Sequence, residues 1–139
     1  MNPAEFMASF RSPIARAVPT VEAIYAAGHW LLEHERFADA AKVFRVMLRA
    51  APTDERGWLA LGACHEGIEQ PRIALELYGA GTAISNASVR CHLARARVLR
   101  ALGHDGEADD ALDAAEVAAV ARDEDELLEL VEGEKGRAS

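Results

Sequence analysis

A fixed interval of 34 residues runs through this chain. Gly28 recurs as Gly62, Ala40 as Ala74 and Ala108, and Phe44 as Tyr78 and then as Leu112. A period of that length is one helix–turn–helix unit, whose apolar face is too small to be buried alone, so that copies must stack to make a core. Three units span residues 21–122, divided as 21–54, 55–88 and 89–122. They leave a segment 1–20 in front and an acidic segment 123–139 behind. The expected fold is all-α, a right-handed α-solenoid with flanking N- and C-terminal helices.

The central unit carries the pattern most fully. From Trp58 to Tyr78 it reads W-L-A-L-G-A-C-H-E-G-I-E-Q-P-R-I-A-L-E-L-Y, in which Trp58, Leu61 and Gly62 followed by Ala74 and Tyr78 match the tetratricopeptide signature. A small residue at a helix crossing lets two axes approach, and a large one fills the space beside it. These landmarks specify the fold, and function is read from the positions between them.

Capping residues and prolines set the boundaries. Asn2-Pro3-Ala4-Glu5 reads as a helix start, followed by Phe6, Phe10 and Ile14 as an apolar stripe interrupted by Pro13 and closed by Pro19. That stripe packs on the first unit or mates with a second copy. Thr20 caps a helix over Val21–His34, its partner covers Phe37–Ala50, and Pro52 ends the unit. Thr53 or Asp54 caps the second unit, whose second helix runs from Pro71 to Ile84, with close helix contacts expected at Gly79 and Gly81. Asn86 or Ser88 caps the helix Val89–Ala101, Gly103 ends it, and Asp105 caps a helix lasting to Arg122. A last helix over Asp123–Glu132 lays Leu127, Leu128 and Val131 on the final unit as a lid, and Gly133–Ser139 is expected to fray.

The charge excludes some partners. With 15 basic and 23 acidic residues the net charge is −8, which disfavours nucleic acid and anionic membrane surfaces. No apolar run reaches membrane-spanning length, no signal-peptide core is evident, and both cysteines fall within helices. A cytoplasmic protein is expected.

Several runs carry a more specific likeness: I24-Y-A-A-G28, F37-A-D-A-A-K-V-F44, R56-G-W-L-A-L-G-A-C64 and Y78-G-A-G81. Between Ile24 and Leu112 the chain resembles the class II chaperones of bacterial type III secretion, the LcrH/SycD type. The resemblance implies a non-enzymatic chaperone that holds an extended segment of a hydrophobic translocator protein in a concave groove and keeps it soluble before export. It also implies a homodimer in the client-free state, formed through the N-terminal segment with Phe6, Phe10 and Ile14. The third unit departs from the signature, with His92, Arg95 and Ala96 where Trp, Leu and Gly are usual, and His29 replaces an aromatic.

In a stack of such units the first helices line the concave face, with positions 2, 5, 9 and 12 pointing into it. Those positions hold Glu22, Tyr25, His29 and Leu32, then Arg56, Leu59, Ala63 and Glu66, then Arg90, Leu93, Arg97 and Arg100. The candidate client-binding set is Tyr25, His29, Leu32, Leu59, Ala63, Glu66, Arg90, Leu93 and Arg97. The apolar members offer pockets to an extended peptide, and Arg90 and Arg97 hold carbonyls or acidic groups. A carboxylate clamp needs Lys and Asn where Tyr25 and His29 stand, so it is not expected.

Cys64-His65 and Cys91-His92 pair zinc-binding residue types, but neighbours on a helix diverge by about 100°, so no metal or other cofactor is expected. His34, His65 and His104 are expected at solvated helix ends. Neither a phosphate loop nor a base beside the paired carboxylates is present, so no enzyme is expected. The alternatives are a generic cytoplasmic scaffold and a regulator using Cys64 and Cys91.

Overall fold

The structure, a computed structural model, describes residues 2–4, 19–85 and 87–138. Phe6, Phe10 and Ile14 of the expected self-association stripe lie outside the described residues, as does Asn86. Seven helices follow Thr20: α1 Val21–Glu33, α2 Phe37–Ala50, α3 Glu55–Gly67, α4 Pro71–Ile84, α5 Val89–Ala101, α6 Asp105–Ala121 and α7 Asp125–Ala138. No strand occurs among the described residues.

Local chemistry repeats with the period. Each odd-numbered helix of the three units has a side-chain cap: Thr20 Oγ1 accepts from Ala23 N, Asp54 Oδ1 from Arg56 N and Ser88 Oγ from Cys91 N, each at 3.1 Å. The turns after those helices hold Glu35, Glu69 and Gly103, again 34 residues apart, in the left-handed region with φ of 57°, 60° and 82°. The next amide in each case reaches back to a carbonyl five residues earlier, closing the last turn: Arg36 N to Leu31 O, Gln70 N to His65 O and His104 N to Leu99 O. Only the third turn uses glycine for this backbone shape. The even-numbered helices start directly from these turns without side-chain caps. Asp105 is therefore the first residue of α6, not its cap.

The repeated small and large residues meet. A Cβ placed on Gly28 would fall 2.6 Å from the Phe44 ring, and one on Gly62 would strike the Tyr78 ring. Ala40, Ala74 and Ala108 are fully buried. In the third unit Ala96 and Leu112, both buried, take the same two places. Gly81 fits the expectation of a close contact, its Cβ site lying 2.5 Å from Cys91 Sγ, but nothing lies within 4 Å of the Cβ site of Gly79. Gly79 thus has no packing reason.

Consecutive helices pack throughout, and in addition α1 touches α3, α3 touches α5 and α5 touches α7. The even-numbered helices make no such contacts with one another. A stack whose odd helices are closer together than its even ones curves towards the odd helices, so α1, α3, α5 and α7 form the inner face.

α7 behaves as the first helix of a further unit. Val131 is fully buried in the C-terminal core, with Leu127 and Leu128 packed against it, as a lid should be. The expected frayed tail is instead helical to Ala138. Its last turns are held by ion pairs, Lys135 Nζ to Asp113 at 2.8 Å and to Glu116 at 2.9 Å.

Candidate functional site

The inner face begins at α1 with an aromatic and ionic cluster. Arg56, on α3, forks onto Glu22 of α1, with Nη2 to Oε1 at 2.6 Å and Nη1 to Oε2 at 3.0 Å. It also donates to Asp54, from Nε to Oδ1 at 3.1 Å and from Nη2 to Oδ2 at 2.8 Å. The same guanidinium lies 4.6 Å from the centroid of the Tyr25 ring. Its hydrogen bonds hold both carboxyls below their ordinary ionisation range, and the two carboxylates raise the pKa of Arg56 in return.

Tyr25 is half-buried and tilted at 58° against Phe44, with centroids 6.2 Å apart. His29 stacks on it at 5.7 Å and reaches Glu33 Oε1 at 3.0 Å. Leu32 is half-buried against the N-terminal core. One face of this trio therefore rests on protein, and the other is accessible.

The second unit supplies the apolar middle. Leu59 is half-buried against the Ala74–Tyr78–Val98 cluster, and Ala63, one helical turn on, is half-buried too. Glu66 is exposed and accepts a short hydrogen bond from the Tyr78 hydroxyl. Burial, reinforced by Glu66, pushes the Tyr78 phenol far above its ordinary range.

The first helix of the third unit, α5, is cationic, but its inner-face charges are engaged. Arg90 donates to Glu55 Oε1 at 2.9 Å, while Ser88 Oγ donates to Oε2 at 2.5 Å. Arg97 binds Glu134 of α7, and Arg100 binds Asp109 at 2.7 Å and Asp105 at 3.4 Å. Leu93 does not join them. It is only 2 % exposed and shares the core cluster of Val131, because the expected lid, α7, closes over the third unit and covers this position too.

Ion pairs organise the rest of the face, and two of their carboxylates, Glu55 and Glu134, were marked by no motif. Glu22 with Arg56 and Glu55 with Arg90 are opposite charges one repeat apart at the capped ends of neighbouring inner helices. That spacing was a readable signal. Glu134 had none, because it stands in a segment expected to fray.

The histidine–cysteine pairs separate as helix geometry requires. Cys64 and Cys91 are fully buried, and burial pushes the Cys64 thiol up to about 11. His65, expected at a solvated end, is 7 % exposed. Arg45, which has only donors, donates to its Nε2 at 3.3 Å, so Nδ1 carries the proton and donates to Gln70 Oε1 at 2.8 Å. No three metal-ligating side chains converge among the described residues. No helix among them is long and apolar enough to cross a membrane.

No protein-family model matches the chain, and no curated protein matches it by sequence. Solved structures do. The type III secretion translocator chaperone SycD of Yersinia enterocolitica is similar with a TM-score of 0.73 at 26% identity, over 82% of this chain and 86% of that one. PcrH from Pseudomonas aeruginosa is similar with a TM-score of 0.63 at 27% identity, over 80% and 90% of the two chains. PcrH in complex with the chaperone binding region of PopD gives a TM-score of 0.72 at 24% identity, over 85% and 90%, which speaks for the fold. The all-helical stack and the likeness to SycD-type chaperones read from the sequence are the ones these structures return.

Proposed function

We propose that this chain is a chaperone of type III secretion translocators, binding an extended segment of a hydrophobic client along the inner face of α1, α3 and α5 and keeping it soluble before export. One observation carries the reading. The half-buried Tyr25, Leu32, Leu59 and Ala63 follow one another along an inner face made only of first helices, in a fold shared with SycD. An extended peptide needs that arrangement, a row of shallow apolar seats with polar groups beside them for its backbone.

His29, Glu66, Arg90 and Arg97 flank those seats and supply the polar contacts. Leu93 contributes from beneath, as core. The protein acts by binding alone, without catalysis, in the cytoplasm. The segment 1–20, with Phe6, Phe10 and Ile14, mediates self-association of the client-free form.

Co-expression with a translocator, followed by size-exclusion chromatography with light scattering, tests this. A soluble complex containing a client that precipitates when expressed alone is the expected result. An insoluble client with no complex would sink the chaperone role and favour a scaffold. Removing residues 1–19 should convert a free dimer to monomer.

A further inference from the structure

Near the end of α7 two arginines hold one carboxylate, Glu134. Arg97 of α5 donates to its Oε1 from Nη2 at 3.0 Å and from Nε at 3.2 Å, and Arg137 donates to the same oxygen from Nη1 at 3.0 Å. Ala96, Arg100 and Leu112 complete the walls of this cleft. The Glu134 side chain is 17 % exposed, whereas Arg97 is 53 % and Arg137 74 % exposed. A carboxylate thus sits sunk between cations that also face solvent.

The segment bearing it is not built for permanence. Gly133 and Gly136 flank Glu134, and a Cβ added at either meets nothing within 4 Å. Packing does not require these glycines, and each weakens the helical turn relative to alanine. The arginine of each ion pair is more than half exposed, so solvent screening keeps each pair weak. α7 is anchored upstream by Val131, so lifting its last turns breaks surface ion pairs, those of Lys135 with Asp113 and Glu116 included, without unpacking the lid.

We propose that the third-unit end of the inner face is a binding site for a side-chain carboxylate of an extended peptide, and that Glu134 fills it as an internal stand-in until such a peptide displaces it. The inference rests on the groove reading above and names a chemical preference within it. The incoming carboxylate accepts from Arg97 Nε and Nη2, as Glu134 does, and its neighbouring apolar side chain lies towards Ala96 and Leu112. Arg100 remains with Asp109 and Asp105, so Arg97 is the group that changes partner.

Fluorescence anisotropy with two labelled synthetic peptides, alike except for Asp in one and Asn in the other, tests this on the full chain. Glu134→Gln should bind the Asp peptide about threefold to tenfold more tightly than wild type. Glu132→Gln, an equal charge change at an exposed site on the same helix, should not, and the Asn peptide should distinguish neither variant. Joint Gly133→Ala and Gly136→Ala should weaken Asp-peptide binding about threefold, and Arg97→Gln should abolish the preference for Asp over Asn. Equal affinities of the Glu134 and Glu132 variants for the Asp peptide would overturn the proposal. Should Glu134→Gln unfold, the glycine pair decides, an unchanged affinity counting against the site. Failure of every version to hold a translocator, with the Asp preference intact, would remove the chaperone function and leave this site standing.

Discussion

The guanidinium of Arg56 covers the ring of Tyr25 at 4.6 Å while it is forked onto Glu22 one repeat earlier in the chain. One side chain thereby fixes the spacing of α1 and α3 and the orientation of an aromatic seat. Asp54, which caps α3, completes the anchor, so helix start and inner-face geometry share the same groups.

Replacing Arg56 by Gln should therefore affect binding more than stability. The lost contacts are at most partly buried, so the folded state should weaken by about 1 kcal/mol. Client affinity should fall about fivefold as Tyr25 loses its fixed position. Lysine keeps the charge without the fork and should restore only part of the loss. Thermal unfolding and client titration of the three proteins check this, and a large fall in melting temperature with unchanged binding would contradict it.

Ala63 tests the middle of the face. Ala63→Glu puts charge and bulk into the row between Leu59 and Glu66 without filling a closed core site, since Ala63 is half-buried. Client binding should fall at least about tenfold while the melting temperature stays within about 4 °C of wild type. Unchanged binding would remove the inner face from the mechanism.

Two glycines in the second unit should respond with opposite signs. Alanine at Gly62 drives a methyl group into the buried Tyr78 ring, and overpacking of that kind costs about 1–3 kcal/mol, partly offset by better helix propensity. Alanine at Gly79 meets open space and should stabilise by up to about 1 kcal/mol. Chemical denaturation of the two variants measures both.

The buried thiols set an alkaline limit. Cys64 ionises at about 11 in the folded protein because burial penalises the thiolate, against about 8.5 in an unfolded chain. The native state thus keeps the proton longer. The contribution of Cys64 to stability is whole below about pH 8.5 and is lost as pH rises through about 11, at a slope of up to about 1.4 kcal/mol per pH unit in between. Cys64→Ala should flatten the stability profile in that window, apart from the share of Cys91, whose pKa burial also raises. Both thiols should react with a thiol reagent at the rate of unfolding.

The helices, their caps and the small–large pairs were legible because each is written in residue identity at a fixed spacing. Thr20, Pro71 and Ser88 act where local chemistry placed them, and Gly28 with Phe44 meets as the repeat demands. The exposure of a side chain was less legible, because it depends on what another part of the chain lays over it. Leu93 and Leu59 occupy equivalent positions, yet Leu93 lies in the core closed by α7 and Leu59 remains half open.

What the sequence determined by itself was the stack: three repeated units and their register. These follow from period and capping, which act over a few residues. Only the tertiary structure decided which inner side chains stay available and which are engaged. Arg56, Arg90 and Arg97 are equally cationic on paper, and each is defined by a carboxylate brought to it by packing, from Glu22, Glu55 and Glu134. Partners 34 to 37 residues away meet only after helices stack, so these pairs form in the tertiary structure even where, as for Glu22 with Arg56, the repeat spacing sets the two charges in register.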